Sequence, residues 1–215
     1  MRVIGLGAGG HAKVVIEILQ LHKAYEVVEL VDTKRELWGT KVLGIAVLGG
    51  DELLPLLYEK GVRHAFIGLG AVRDTTARRE LYEKARRLGF ELVSAVHPQA
   101  IISPSADMGH GPTIMAGAII NAASKVGDNV VINTGAIIEH DCTISDHTYV
   151  ASGAQLASNV AVGEGSYIGL GASVRQCIHI GRNSIVGAGA VVVDDIPDNV
   201  VAVGVPARIL KMRGE

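Results

Sequence analysis

From residue 102 to residue 192 every sixth residue is apolar, beginning Ile102, Met108, Ile114, Ile120 and continuing without a break to Val186 and Val192. Two places before each stands a second series that is mostly small, among them Ala100, Ala106, Ala118, Ser124, Ala136, Ala154, Ala172 and Ala190. Glycine often follows the large residue, as at Gly109, Gly127, Gly163, Gly169, Gly181 and Gly187, where it can supply a turn or a close backbone approach. An α-helix needs a period near 3.6 and a strand alternates at two, so a six-residue unit rich in β-branched residues is neither alone. It reads as one short strand and one turn. Three such units per coil make a triangular prism, with the large residues stacked inside and the strands hydrogen-bonded in parallel from coil to coil.

Composition agrees with an interior of this kind. Hydrophobic residues make up 48 % of the chain and aromatic residues only 4 %, so the core is aliphatic, and 27 glycines without a Gly-X-Y period mean many turns rather than collagen. A formal charge of −2 with no long basic run gives no footprint for nucleic acid or an anionic membrane. Cys142 and Cys177 match no paired metal or redox spacing and suit a reducing compartment. The start Met1-Arg2-Val3-Ile4 lacks the pattern of a signal peptide, and no apolar run is long enough for membrane insertion. The expected location is the cytoplasm.

The first ninety or so residues have another rhythm. An apolar strand and a glycine loop lead into a helix from His11 to about Leu21; Val27 to Val31 reads as a strand and Lys41 to Leu48 as a third extended segment. Asp51 to Lys60 reads as a helix capped by Asp51, His64 to Leu69 as a strand and Arg73 to Leu88 as a helix. Such alternation predicts a small Rossmann-like α/β domain with a parallel sheet. Gly5-Leu6-Gly7-Ala8-Gly9-Gly10 satisfies G-x-G-x-x-G, with Asp32 about twenty residues on. The segment before the repeat is about half of a full dinucleotide-binding fold. The backbone amides of the loop, at a helix N-terminus, favour an anion such as a sugar-nucleotide diphosphate, and a merely tight strand-to-helix turn is the alternative.

From the repeat to its end the chain resembles the hexapeptide-repeat acyltransferases, including the tail Gly204-Val205-Pro206-Ala207-Arg208. The string Gly7-Ala8-Gly9-Gly10-His11-Ala12-Lys13-Val14-Val15 ahead of such a repeat is similar to a narrower group, the sugar acetyltransferases acting on nucleotide-linked 4-amino-4,6-dideoxy sugars or, more loosely, on sialic acid. The resemblance implies a left-handed parallel β-helix, acetyl-CoA as co-substrate without a metal, and a homotrimer with the acyl donor in the groove between neighbouring prisms. It implies a nucleotide-sugar-binding domain over 1–94, the β-helix over 95–197 and a tail along the CoA site over 198–215. Gly9, Gly10 and His11 would lie beside the nucleotide, Asp32 near its base or ribose, and the loop carrying Gly70 and Arg73 across the same crevice.

Direct acyl transfer needs a base and a donor to the tetrahedral oxyanion, and histidine is the natural base near neutral pH. His22 and His64 lie in the first domain, His97 precedes Pro98, and His110 and His179 fall on repeats without an acidic neighbour. His140 is followed by Asp141 and stands two places after the inward Ile138, near a corner. On spacing alone it is as readily a solvent-exposed corner residue as a base. In the subfamily the chain resembles, this histidine is the base, the adjacent carboxylate orients it and a preceding asparagine lies close by, which maps onto His140, Asp141 and Asn133. One coil further, Ser158 would offer its N–H to the oxyanion. Coenzyme would run past Gly169 and Ala188 towards Pro206 and Arg208. Many relatives carry a second histidine where this chain has Tyr149, with His147 two residues short, so Tyr149 is the expected neighbour of the donor carbonyl.

Two other classes use a related fold. A zinc hydratase needs three histidines gathered between subunits, and here His140 and His147 are seven apart with no third in register. An ice-binding or scaffold surface needs a threonine ladder, and threonines are few in the repeat. Within acyl transfer, O-acetylation of a sugar such as sialic acid is the runner-up.

Overall fold

The computed structural model describes residues 1–71 and 74–214. They form two compact units, one of Met1–Ala71 with Ala77–Pro98, the other of the chain from Gln99 onward with the short stretch 74–76. Among the described residues no helix is long and apolar enough to cross a membrane.

The first unit runs β1 (Arg2–Leu6), α1 (Gly10–Leu21), β2 (Glu26–Val31), β3 (Lys41–Val42), β4 (Ile45–Gly49), α2 (Leu54–Glu59), β5 (His64–Ile67), α3 (Thr76–Arg87), β6 (Glu91–Leu92). Its sheet has the order β3-β4-β2-β1-β5-β6, parallel except at the β3–β4 hairpin. The apolar runs explain this: Val3, Ile4, Leu6, Leu30, Val31, Ala65, Phe66 and Ile67 are all buried, as expected for strands covered on both faces. α1 turns Ala12, Val15, Ile16 and Leu19 inward at helical spacing.

Three expectations need correction. Lys41 to Leu48 is a hairpin rather than one extended segment, because Leu43 and Gly44 both take positive φ and reverse the chain. Asp51 does not cap a helix: it opens a 3-10 turn, Gly50 holds the N-cap position without a side-chain bond, and the Asp51 carboxylate turns away to Lys84 at 3.2 Å. The helix expected from Arg73 begins at Thr76, whose N–H is taken by the Asp74 carboxylate at 2.9 Å.

The second unit is the prism. Thr113–Ile114 pairs with Val131–Ile132, which pairs with Tyr149–Val150, then Tyr167–Ile168 and Ile185–Val186, all parallel, and these make the first face. The second face runs from Ile101–Ile102 through Ile119–Ile120 and Ile137–Ile138 to Val191–Val192. The third runs from Asp107–Met108 to His179–Ile180. Each strand thus pairs with the one three units later. From Ile114 to Val192 every large residue of the repeat is at most 3 % exposed, while Ile102 and Met108 are half-buried in the first coil.

The small series fills the corners, and its polar members are bonded: Ser124 Oγ donates to Glu139 O at 2.8 Å and Ser166 Oγ to Gly181 O at 2.7 Å. The glycines after the large residues are not the turn residues. Positive φ falls two places later, every sixth residue from Gly111 to Gly189. Gly127 and Gly169 serve close approach instead, since a Cβ there would meet the next coil at 2.2 Å and 2.5 Å. After the last coil Val200–Val203 joins the first face and Arg208–Met212 returns antiparallel along it.

Candidate active site

His140 stands on the edge where the second face turns into the third. Asp141 takes the left-handed turn conformation at φ 60°, which Asp tolerates better than most residues. Its Oδ2 lies 2.6 Å from His140 Nδ1. The other ring nitrogen, Nε2, lies 2.8 Å from Ser158 Oγ, one coil on. A carboxylate only accepts, so Nδ1 carries the proton and the Nε2 lone pair accepts from the Ser158 hydroxyl. The His140 and Asp141 side chains are 53 % and 52 % exposed, open to a ligand along the edge. The Ser158 N–H has no backbone acceptor among the described residues. His140, Asp141 and Ser158 are therefore assembled as a unit, and the part of Ser158 that touches the imidazole is its hydroxyl, which spacing alone did not reveal.

Asn133, Gly169 and Ala188 follow first-face strands, on the edge between the first and second faces, and Tyr149 lies in a strand of the first face. Asn133 Nδ2 donates to the Tyr149 hydroxyl at 2.9 Å, and its Oδ1 accepts from Thr134 N–H. Tyr149 is buried and stacks on Tyr167 with centroids 5.4 Å apart and planes 17° off parallel. Gly169 and Ala188 line a cavity of about 610 Å³ with Tyr167, Lys211 and Arg213. Pro206 and Arg208 are exposed and lie outside that lining, with Arg208 paired to Asp194 at 3.3 Å. Within one chain, then, Asn133 does not join His140, and one coenzyme track cannot pass from Ser158 to Gly169 along a single edge. The reason is the six-residue unit: residues seven apart, like 133 and 140, straddle a whole strand and fall on successive corners.

The other histidines resolve similarly. His147 is buried on the third edge with its Nδ1 3.0 Å from Asn129 Nδ2, and does not stand in for a histidine at 149. His110 and His179 do have acidic neighbours, but through the backbone: Asp128 and Asp195 accept from their N–H groups at 2.7 Å and 2.8 Å. Among the described residues no three His, Cys, Asp or Glu side chains gather as a metal site.

In the first unit the loops after β1, β2 and β5 enclose a second cavity, of about 440 Å³, at the switch point of the sheet. Gly7 and Gly68 lie back to back there; a Cβ on Gly68 would come within 2.5 Å of Gly7 O. Gly9 and Asp32 line the cavity with Lys34, Leu69 and Lys84, while Gly10, His11 and Gly70 lie outside the lining. Asp32 is expected near base or ribose; its Oδ2 accepts from Ala8 N–H at 2.7 Å, which fastens the glycine loop, and its Oδ1 accepts from Lys34 N–H at 2.9 Å in its own turn. Arg73 lies outside the described residues. Beneath the loops sits Arg78, 2 % exposed, which donates to Ile67 O at 3.1 Å, Leu69 O at 2.8 Å and His11 Nε2 at 3.4 Å. A guanidinium only donates, so His11 is neutral; burial first and the Arg78 charge second lower its pKa from 6.5 to about 3. Lys84 and Arg78 were missed in the sequence, where a helical lysine or arginine reads as a solvated face, and Lys34 was missed as an ordinary loop lysine.

The PglD N-terminal domain family matches residues 2–85. No curated protein sequence gives a significant match. Among solved structures, PerB from Caulobacter crescentus, crystallised with CoA and GDP-perosamine, is 45 % identical over 97 % of each chain with a TM-score of 0.90. A histidine variant of perosamine N-acetyltransferase from the same organism matches at the same identity and TM-score over 97 % of this chain and 96 % of its own. The acetyltransferase domain of PglB from Neisseria gonorrhoeae, in complex with acetyl coenzyme A, is 38 % identical over 97 % of this chain and 98 % of its own, with a TM-score of 0.87. With two compact units built as described and near-complete coverage at these identities, the chain belongs to the hexapeptide-repeat, CoA-dependent sugar N-acetyltransferases.

Proposed function

We propose that the protein acetylates the 4-amino group of a nucleotide-linked 4-amino-4,6-dideoxy sugar, using acetyl-CoA, by direct attack of the amine on the thioester with His140 as general base. The observation that carries this reading is the ordered imidazole: Asp141 fixes the Nδ1–H at 2.6 Å, leaving Nε2 as the basic atom on an exposed edge. The amine nitrogen bonds to the acetyl carbon, its proton goes to the imidazole, Asp141 stabilises the imidazolium, and the Ser158 N–H holds the oxyanion. Collapse breaks the C–S bond and the thiolate takes the proton back. The first unit holds the nucleotide diphosphate at the α1 N-terminus and the cavity beside Gly9 and Asp32. In support, PerB binds CoA together with GDP-perosamine.

The site is completed in a homotrimer. The His140 edge and the Tyr149–Gly169 edge border the same second face, whose outward row opens with the apolar Ile101, Ile119 and Ile137 in register before passing to Gln155, Ser173 and Val191, with Ile101 62 % exposed. The third face instead presents Asp107, Lys125, Thr143 and His179. Three copies turned about one axis with the second face inward place one border of each beside the opposite border of the next, so each His140 meets a neighbouring copy's coenzyme edge. The product is the test. An acetyl group that survives mild alkali on the sugar is an amide and supports the reading; an alkali-labile ester contradicts it in favour of O-acetylation.

A further inference from the structure

We propose that Ser158 is itself a catalytic residue, whose hydroxyl relays the proton between the attacking amine and His140. This rests on the reading of His140 as the base. With Nδ1 tied to Asp141, the ring has one lone pair, on Nε2, and the Ser158 hydroxyl already occupies it at 2.8 Å. A substrate amine must either displace that hydroxyl or use it.

The coil-to-coil ladder favours its use. Asn159 N–H donates to His140 O at 3.1 Å and Cys177 N–H to Ser158 O at 3.0 Å, so the backbones on both sides of the side-chain pair are held in register. The hydroxyl cannot drift away from the ring by a backbone shift without breaking these bonds. Having donated to Nε2, Oγ keeps its lone pairs for an incoming N–H, and a hydroxyl is the side-chain group that accepts and donates at once. In the step, the amine nitrogen forms the N–C bond while its proton passes to Ser158 Oγ and the Oγ proton passes to Nε2. When the C–S bond breaks the movement reverses: Nε2 returns a proton to Oγ, and the Oγ proton goes to the departing sulfur. Serine ends as it began, no oxidant or further reactant is needed, and no acyl-serine forms.

Ser158→Ala and Ser158→Thr, compared with wild type and His140→Ala, test the relay. The expected result is a kcat about tenfold or more lower for Ser158→Ala, short of the 10²–10⁴ of a missing base because water can take the vacant place. The acetyl-CoA KM and the melting temperature should stay near wild type, and Ser158→Thr should recover most of the rate. Rates in mixtures of H₂O and D₂O should trace a bowed line for wild type, two protons moving together, and one closer to straight for Ser158→Ala. A Ser158→Ala enzyme as fast as wild type, with His140→Ala inactive, overturns the relay and leaves the base intact. Near-wild-type rates in both overturn the base as well. An acetylated Ser158 found by mass spectrometry after acetyl-CoA alone overturns the relay in favour of a covalent intermediate.

Discussion

Replacing His140 with alanine is expected to lower turnover by about 10²–10⁴-fold, the contribution of a positioned general base. Acetyl-CoA affinity should hardly change, because the Gly169–Ala188 cavity is lined by residues other than His140. Folding should hardly change either. The side chain is 53 % exposed, bonds among the described residues to Asp141 and Ser158 alone, and stands outside the aliphatic stack. Steady-state kinetics beside a melting curve checks both halves of this. A fall in kcat with an unchanged melting temperature is the expected pair; a variant that turns over at the wild-type rate removes His140 from the chemistry.

The second large effect is expected at Arg78, on stability and on the nucleotide side together. Arg78→Met keeps the volume but takes donors from Ile67 O and Leu69 O, and burying two carbonyls without partners costs about 2–5 kcal/mol. It also releases Leu69, which lines the first-unit cavity, so the KM for the nucleotide-linked substrate should rise more than that for acetyl-CoA. Arg78→Lys should recover only part, since an ammonium lacks the fork that reaches separate acceptors.

The same cluster sets a pH dependence. His11 stays neutral in the fold down to about 3, whereas the unfolded chain binds a proton below 6.5. Its contribution is therefore full above the ordinary histidine range and is lost as pH falls from 6.5 towards 3, with a slope of at most about 1.4 kcal/mol per pH unit. His11→Gln, which keeps an acceptor for Arg78 but does not titrate, should flatten that part of the curve. Urea unfolding at several pH values would show a parallel curve instead if His11 had no part in it.

The β-helix was legible because its period is local: each inward residue can be counted from its neighbour, and the stack from Ile114 to Val192 followed directly. The division into edges was legible in principle, since six-residue arithmetic puts 133 and 140 on different corners, yet resemblance drew Asn133 towards His140. What counting could not show is where a side chain turns. Ser158 lies one coil beyond His140 either way, and it is the folded chain that brings its Oγ to Nε2. Asp32 illustrates the converse: expected near base or ribose, it lines the first-unit cavity, with one oxygen accepting from Ala8 N–H of the glycine loop and the other from Lys34 N–H in its own turn. Arg78 was invisible because α3 carries basic and acidic residues all along its length, and burial of one of them is a tertiary fact.

The most direct measurement is release of CoA thiol from acetyl-CoA in the presence of 4-amino-4,6-dideoxy sugars linked to GDP, UDP or dTDP, each beside the same sugar without its nucleotide. Thiol release with a nucleotide-linked sugar and not with the free one is the expected result and names the nucleotide. Equal release with the free sugars would contradict the claim that the first unit holds the nucleotide of the substrate.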